Sequence, residues 1–448
     1  MSRSSISFGD VYRVFAVSAV LVLAGCGSGF LGETETKAPL KGDRIPIMLV
    51  DREIAADPAI ESLEVRLPKP MINRDWPQPG GDASHVVGHP QTADVLSEAW
   101  SSDIGEGGGD LSNLVTAPVV VEGRVFTIDA NGVVSAFATD DGRRLWHFET
   151  KPKDEEETIF AGGITLGEGR LFAMTGYGEA VALDPEFGEE VWRVRLPGLP
   201  RGSPTVAEGR LFVTTKQNQM AVMSTEDGSK LWSHAGISEV SALLGGASPA
   251  VGGGAVIVPY SSGELFVLKV ENGRVLWVES LTRIRALGGI SNLADIRGHP
   301  VLDSGMVIAV SHAGRLFSTD LKSGVRIWER RVASVNTPWV AGDFIYVVSI
   351  QGEVLCLTRR DGRVRWVTRL PEFTDVEDRE GPIQYAGPVL AGDRLLVADS
   401  EGHLTSISPY TGEITGELDV GGKIFVAPVV ADGTVYVLRD DATLIAYR

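Results

Sequence analysis

Chemistry needs histidine, cysteine or carboxylate side chains at a workable spacing, and this chain offers few such sets. His85 and His89 stand four apart in SHVVGHP. On a helix that spacing would turn both imidazoles to one face, as a metal ion requires. Gly88 and Pro90 break any helix there, so the pair does not read as a metal site. Asp141, Asp227 and Asp361 each precede a glycine, where a short acidic side chain satisfies turn geometry. The runs DEEE (154–157) and DVEDRE (375–380) read as solvated loop surface. No nucleophile, base and orienting acid can be assembled, and no stretch has the spacing of an EF-type calcium loop. The expectation is no catalytic residue, no metal and no cofactor.

The two cysteines, Cys26 and Cys356, sit in different settings. Cys356 lies in the apolar strand pattern EVLCLT and reads as a small buried hydrophobe. Cys26 ends an N-terminal address. Arg3 and Arg13 precede the apolar run Val14 to Gly25, which is too short for a spanning helix of about 20 residues. A basic start, a short apolar run and small residues after it predict a signal peptide over 1–25. Leu23-Ala24-Gly25-Cys26 resembles the bacterial lipobox, which implies a lipidated Cys26 and a membrane anchor. Lipoproteins kept at the inner membrane often carry Asp at the next position; Gly27 here points to the outer membrane. Residues 26–75 then read as the lipidated cysteine and a flexible tether. The apolar island IPIMLV (45–50) has no obvious place in that tether.

Charge narrows the function further. Lys and Arg number 41 against 59 Asp and Glu, a formal net charge of −18. Nucleic-acid binding needs clustered cations, so that class is excluded.

What must position any site is a repeat. DGRRLW (141–146) recurs as EDGSKLW, NGRVLW, SGVRIW and DGRVRW, ending at Trp232, Trp277, Trp328 and Trp366. The fullest copy spans 117–149, and others begin near 161, 202, 247, 298, 336 and 386. Each holds four short runs rich in β-branched and aromatic residues, separated by Gly or Asp-Gly turns. Four antiparallel strands per unit is the pattern of a propeller blade. Residues 426–448 supply only three strands, and LSEAWSSDIG upstream looks like the missing fourth. The prediction is an all-β, eight-bladed propeller over 76–448, its last blade closed by an N-terminal strand. Trp100, Trp146, Trp192, Trp232, Trp277, Trp328 and Trp366 would cover the gaps between sheets, and Gly416 stands where the eighth tryptophan belongs.

The repeat resembles the quinoprotein-type, PQQ-like propeller repeat from Trp76 to Arg448. One branch of that superfamily is periplasmic dehydrogenases using pyrroloquinoline quinone and Ca²⁺; some of them add adjacent cysteines, a pair this chain lacks. The other branch is BamB, a lipoprotein subunit of the outer-membrane β-barrel assembly machine. Lipobox, repeat number and length are similar to BamB. That resemblance implies a non-catalytic scaffold at the periplasmic face of the outer membrane. Its partners would be the POTRA domains of a BamA-type barrel protein, other machine subunits and unfolded barrel clients. The alternatives are a PQQ-dependent dehydrogenase or a ligand-binding propeller lipoprotein, and the latter would need an aromatic-lined pocket.

Two linkers, 234–248 and 279–299, are longer than a tight blade-to-blade link. Leu243 and Leu244 would expose apolar surface to a partner. The family carries a leucine pair and an arginine there, and two acids in the second linker. Here Leu243 holds a leucine position and Leu244 the arginine position, while Asp295 matches the first acid and Arg297 replaces the second. Leu243, Leu244, Asp295 and Arg297 are the expected partner-binding residues. Arg283, Arg285 and Arg297 would suit an acidic patch on that partner.

Overall fold

The computed structural model describes residues 54–109, 114–154, 162–239, 245–281 and 295–448. Cys26, Leu243, Leu244, Arg283, Arg285, the island at 45–50 and the acids at 155–157 lie outside the described residues. No described helix is long and apolar enough to cross a membrane.

The strands form eight four-stranded antiparallel sheets, the blades of a propeller, and one extra two-stranded hairpin. Blade 1 shows the plan: Val119–Val121 innermost, then Arg124–Ile128, Val133–Ala138 and Arg144–Glu149 outermost. Blades 2 to 7 repeat it over 164–195, 205–235, 250–280, 301–330, 339–369 and 385–419. The second and third strands are buried on both faces, as blade packing on each side requires. Blade 8 takes Val429–Ala431, Thr434–Leu438 and Thr443–Tyr447 from one part of the chain and Glu98–Asp103 from another. Trp100 pairs with Ala446, and the Ser97 and Arg448 backbones exchange two hydrogen bonds of 2.9 Å. The ring is therefore closed by hydrogen bonding, as the orphan tryptophan strand implied.

The repeated Asp-Gly-x-x-x-Trp has one physical cause. Each glycine adopts a positive φ in the turn before the outermost strand, for example 73° at Gly142 and 64° at Gly362. The preceding carboxylate caps the turn: Asp141 Oδ1 accepts from Arg143 N–H at 3.0 Å, and Asp227 Oδ1 accepts from Ser229 N–H at 3.0 Å. The tryptophan of one blade then lies on the turn glycine of the next. A Cβ on Gly142 would come within 2.5 Å of Trp100, and one on Gly362 within 2.5 Å of Trp328. Each indole N–H donates to a carbonyl of the next blade. The acceptors are Thr139 for Trp100, Pro185 for Trp146, Thr225 for Trp192, Val270 for Trp232, Leu321 for Trp277, Arg359 for Trp328 and Pro409 for Trp366. A β-bulge precedes each tryptophan and turns one residue outward, which leaves Leu145, Val191, Leu231, Leu276 and Ile327 exposed.

Gly416 is the exception that the same geometry explains. It occupies the tryptophan position of blade 7, opposite Ser406. Its indole would have to cover a turn between the third and outermost strands of blade 8. Those two strands come from distant parts of the chain and share no turn. Nothing lies within 4 Å of a Cβ built on Gly416.

Packing on the blades includes residues well before Trp76. Residues 54–75, placed in the tether by the sequence reading, pack on the blades. Val65 is buried, Arg363 Nε donates to Asp57 Oδ2 at 2.8 Å, and Asp57 N–H donates to Val364 O at 2.8 Å. The run DVEDRE belongs to the extra hairpin, Phe373–Asp375 with Glu380–Pro382, and is exposed.

Candidate functional site

The innermost strands of a propeller leave their inner edges unpaired around the axis. Unpaired N–H and C=O groups there must find partners or water. In this protein one segment, 73–92, supplies partners blade after blade. Asp432 N–H donates to Asn73 O at 2.6 Å and Asn73 Nδ2 donates to Val430 O at 2.9 Å, in blade 8. Trp76 and Val120 bridge in blade 1, and Leu166 N–H reaches Pro77 O at 2.8 Å in blade 2. The Gln78 side chain imitates a strand: it donates to Val206 O at 3.0 Å and accepts from Val206 N–H at 2.9 Å in blade 3. Val251 N–H meets Ala83 O at 2.6 Å and Leu302 N–H meets Ser84 O at 2.9 Å, in blades 4 and 5. Trp339 Nε1 donates to Gly88 O at 2.9 Å in blade 6, and Gly392 N–H meets Pro90 O at 2.8 Å in blade 7. The segment is a plug stitched to all eight blades.

Both histidines of SHVVGHP are pins of this plug. His85 Nδ1 donates to Pro300 O at 2.7 Å. The ring nitrogens of His89 face Pro68 O at 2.6 Å and Gly392 O at 2.5 Å. The two imidazoles face different blades. Among the described residues no group of three or more His, Cys, Asp or Glu is placed to hold a metal ion. Cys356 is buried, and burial pushes its thiol well above the ordinary range, against nucleophilic use.

A cavity of about 250 Å³ lies on the axis, with Trp76, Gly80 and His85 of the plug in its wall. A proline precedes the first strand of most blades, and the residue before it lines the cavity at Ala117, Ser203, His299, Thr337, Gly387 and Ala427. Neighbouring blades are laced there by hydrogen bonds, such as Ser248 Oγ to Ser203 O at 2.8 Å and Asn336 Nδ2 to Tyr385 O at 2.9 Å. Trp339, Tyr385 and Phe425 give part of the wall an aromatic character.

Beside the cavity sits a buried charge cluster. Arg201 Nη2 donates to Asp295 Oδ1, with side-chain exposures of only 2% and 1%. Arg297 lines the cavity; burial lowers its pKa, the Asp295 charge opposes that and Arg201 adds to it. His299 accepts Ser248 N–H at Nδ1, 2.8 Å away, so its proton sits on Nε2. The His85 and His299 rings stand 4.9 Å apart. Burial holds both below the ordinary histidine range, His299 well below because His85 and Arg297 also repel its charge.

Of the expected partner-binding residues, Asp295 and Arg297 are described. Asp295 is fully buried and bonds Arg201 within its own chain. Arg297 faces the cavity instead of an outer surface. The sequence reading missed Arg201 and His299. For His299 the signal was the proline that follows it, because the residue before that proline lines the cavity in several blades; nothing local marked Arg201.

Fold and site define a plugged, eight-bladed propeller of the PQQ-like repeat class with no catalytic constellation among the described residues. A family model described as "Outer membrane protein assembly factor BamB" matches residues 97–156, 130–368 and 375–448. The chain is 32% identical over 353 residues to the outer membrane protein assembly factor BamB of Salmonella typhimurium, covering 78% of this chain and 87% of that one. The chain belongs to the BamB family. Among solved structures it is similar to BamB from Moraxella catarrhalis, with a TM-score of 0.68 at 18% identity over 79% of this chain and all of that one. The quinohemoprotein alcohol dehydrogenase from Comamonas testosteroni shares the fold at a TM-score of 0.61 and 14% identity, over 83% of this chain and 80% of that one.

Proposed function

We propose that this protein is a non-catalytic scaffold of outer-membrane protein assembly, anchored by a lipid on Cys26 and binding the POTRA region of a BamA-type barrel protein. The observation that carries the reading is the family match, which runs through the propeller from 97 to 448 with only a short gap. The two long linkers have a common root. A Cβ on Gly245 would lie 3.6 Å from Arg297 Nε, and one on Gly246 within 2.4 Å of Arg201 Cγ. Gly245 follows Leu243 and Leu244, and Asp295 lies near the end of the second linker, so the Arg201–Asp295 pair ties both at one point. The partner contact is assigned to Leu243 and Leu244, and Asp295 acts by holding their base.

The test is affinity purification of the tagged protein from detergent-solubilised membranes, with mass spectrometry and an absorbance spectrum. A POTRA-containing barrel protein in near-stoichiometric amount and a spectrum without chromophore is the expected result. A quinone chromophore with no barrel partner would transfer the chain to the dehydrogenase branch. Cys26→Ser should release the protein from the membrane fraction, and Leu243→Asp with Leu244→Asp should lose the barrel partner while keeping the fold.

A further inference from the structure

We propose that the axial cavity binds a small aromatic carboxylate, its anion held by Arg297 and its ring set against Trp339 and Tyr385. The first argument is charge. Arg297 is the one charged side chain among the described residues lining the cavity; no Asp or Glu joins it. The nearby carboxylate of Asp295 is already taken by Arg201. Among the described residues, two guanidinium groups stand near one carboxylate, which leaves one positive charge in excess. Arg201 also keeps Nε and Nη1 without acceptors, although its side chain is only 2% exposed. A buried cation of this kind is stabilised by an anion with which it can form charge-assisted hydrogen bonds.

The second argument is an orphan acceptor in the same wall. His85 is buried and commits its Nδ1–H to Pro300 O, which leaves the lone pair of Nε2 facing no donor. A hydroxyl on the ligand would satisfy it. The third is shape and lining. The cavity of about 250 Å³ accommodates a single-ring acid, and Trp339, Tyr385 and Phe425 supply flat apolar surface. An aromatic hydroxy acid uses all three features at once, whereas inorganic phosphate would use only the charge.

The experiment is isothermal titration of the full-length protein with 4-hydroxybenzoate, 4-hydroxybenzamide and inorganic phosphate. Saturable one-to-one binding of the acid is expected, with the neutral amide and phosphate each weaker by at least about tenfold. Arg297→Gln should remove the preference for acid over amide, and Arg297→Lys should retain it. If Arg297→Gln fails to fold, Ile350→Trp serves, because Ile350 lines the cavity from a partly exposed position and an indole there should block binding. No saturable binding up to about 10 mM acid, equal binding of acid and amide, or equal binding of phosphate would each overturn the proposal.

Discussion

The indole of Trp366 lies on the backbone of Gly412 in the following blade and donates its N–H to Pro409 O at 3.2 Å. A Cβ on Gly412 would stand 2.7 Å from the ring, at a φ of 81° that L side chains rarely adopt. The same pair recurs at each blade junction that has a tryptophan, so the ring is held by one contact used repeatedly. Trp366→Ala should cost about 3–5 kcal/mol and Gly412→Ala about 1–3 kcal/mol by urea denaturation. The double variant should cost less than their sum, because removing the indole removes the clash. Strict additivity would mean that the two residues do not meet.

Gly416→Trp restores the repeat consensus and should gain nothing. No turn of blade 8 exists for the indole to cover, and the position opens to solvent. A stability change under about 0.5 kcal/mol is expected by the same denaturation assay. A large gain would show that blade 8 offers a surface there after all.

Asp295→Ala leaves Arg201 buried without a counter-charge, and a loss of about 3–5 kcal/mol is expected. Arg201→Met with Asp295→Leu should recover most of it, since the desolvation cost of both charges disappears together. Melting of the single and double variants side by side measures this. Partner capture on the double variant then reports whether the charges do more than fix the linker roots.

Gln78→Leu removes both side-chain bonds to the Val206 backbone and leaves two buried backbone groups unpaired. A cost of about 2 kcal/mol is expected from chemical denaturation. A cost near zero would mean that the plug does not support the inner edge of blade 3.

Acid should weaken the fold through His85 and His299. Burial lowers both folded-state pKa values below the ordinary 6.5. Below that value the unfolded chain binds protons that the folded chain refuses, so stability falls as pH falls. Each histidine contributes a slope of about 1.4 kcal/mol per pH unit, from pH 6.5 down to its folded value. Above about pH 7 neither contributes any slope. Urea midpoints at about pH 7.5 and 5.5 measure the loss, and His299→Gln should reduce it.

How much of this could be read from the sequence depends on whether the information is local. A blade is about forty consecutive residues, and its strands pair with their neighbours in sequence. The Asp-Gly turn needs a glycine and the next blade needs an indole, so both are written into each repeat. The closing strand at Trp100 was legible for the same reason, because it carries half of a repeat. The sequence by itself thus determined the fold class, the blade count and the structural role of Trp100, Trp146, Trp192, Trp232, Trp277, Trp328 and Trp366.

The site was not local. Residues 54–92 follow no repeat, because 54–63 bond to the outermost strand of blade 6 and the turn before it while 73–92 meet the inner strands of eight different blades. Arg201 and Asp295 are 94 residues apart and meet only because two blades bring their linker ends to the axis. Asp295 looked like a surface acid in a long linker, and only packing shows that it is buried. His85 and His89 stand four apart yet pin different blades, because the plug passes from blade 5 to blade 7 between them without a helix. Tertiary structure alone decided which polar groups were desolvated together, since convergence on an axis brings together side chains that no sequence spacing relates.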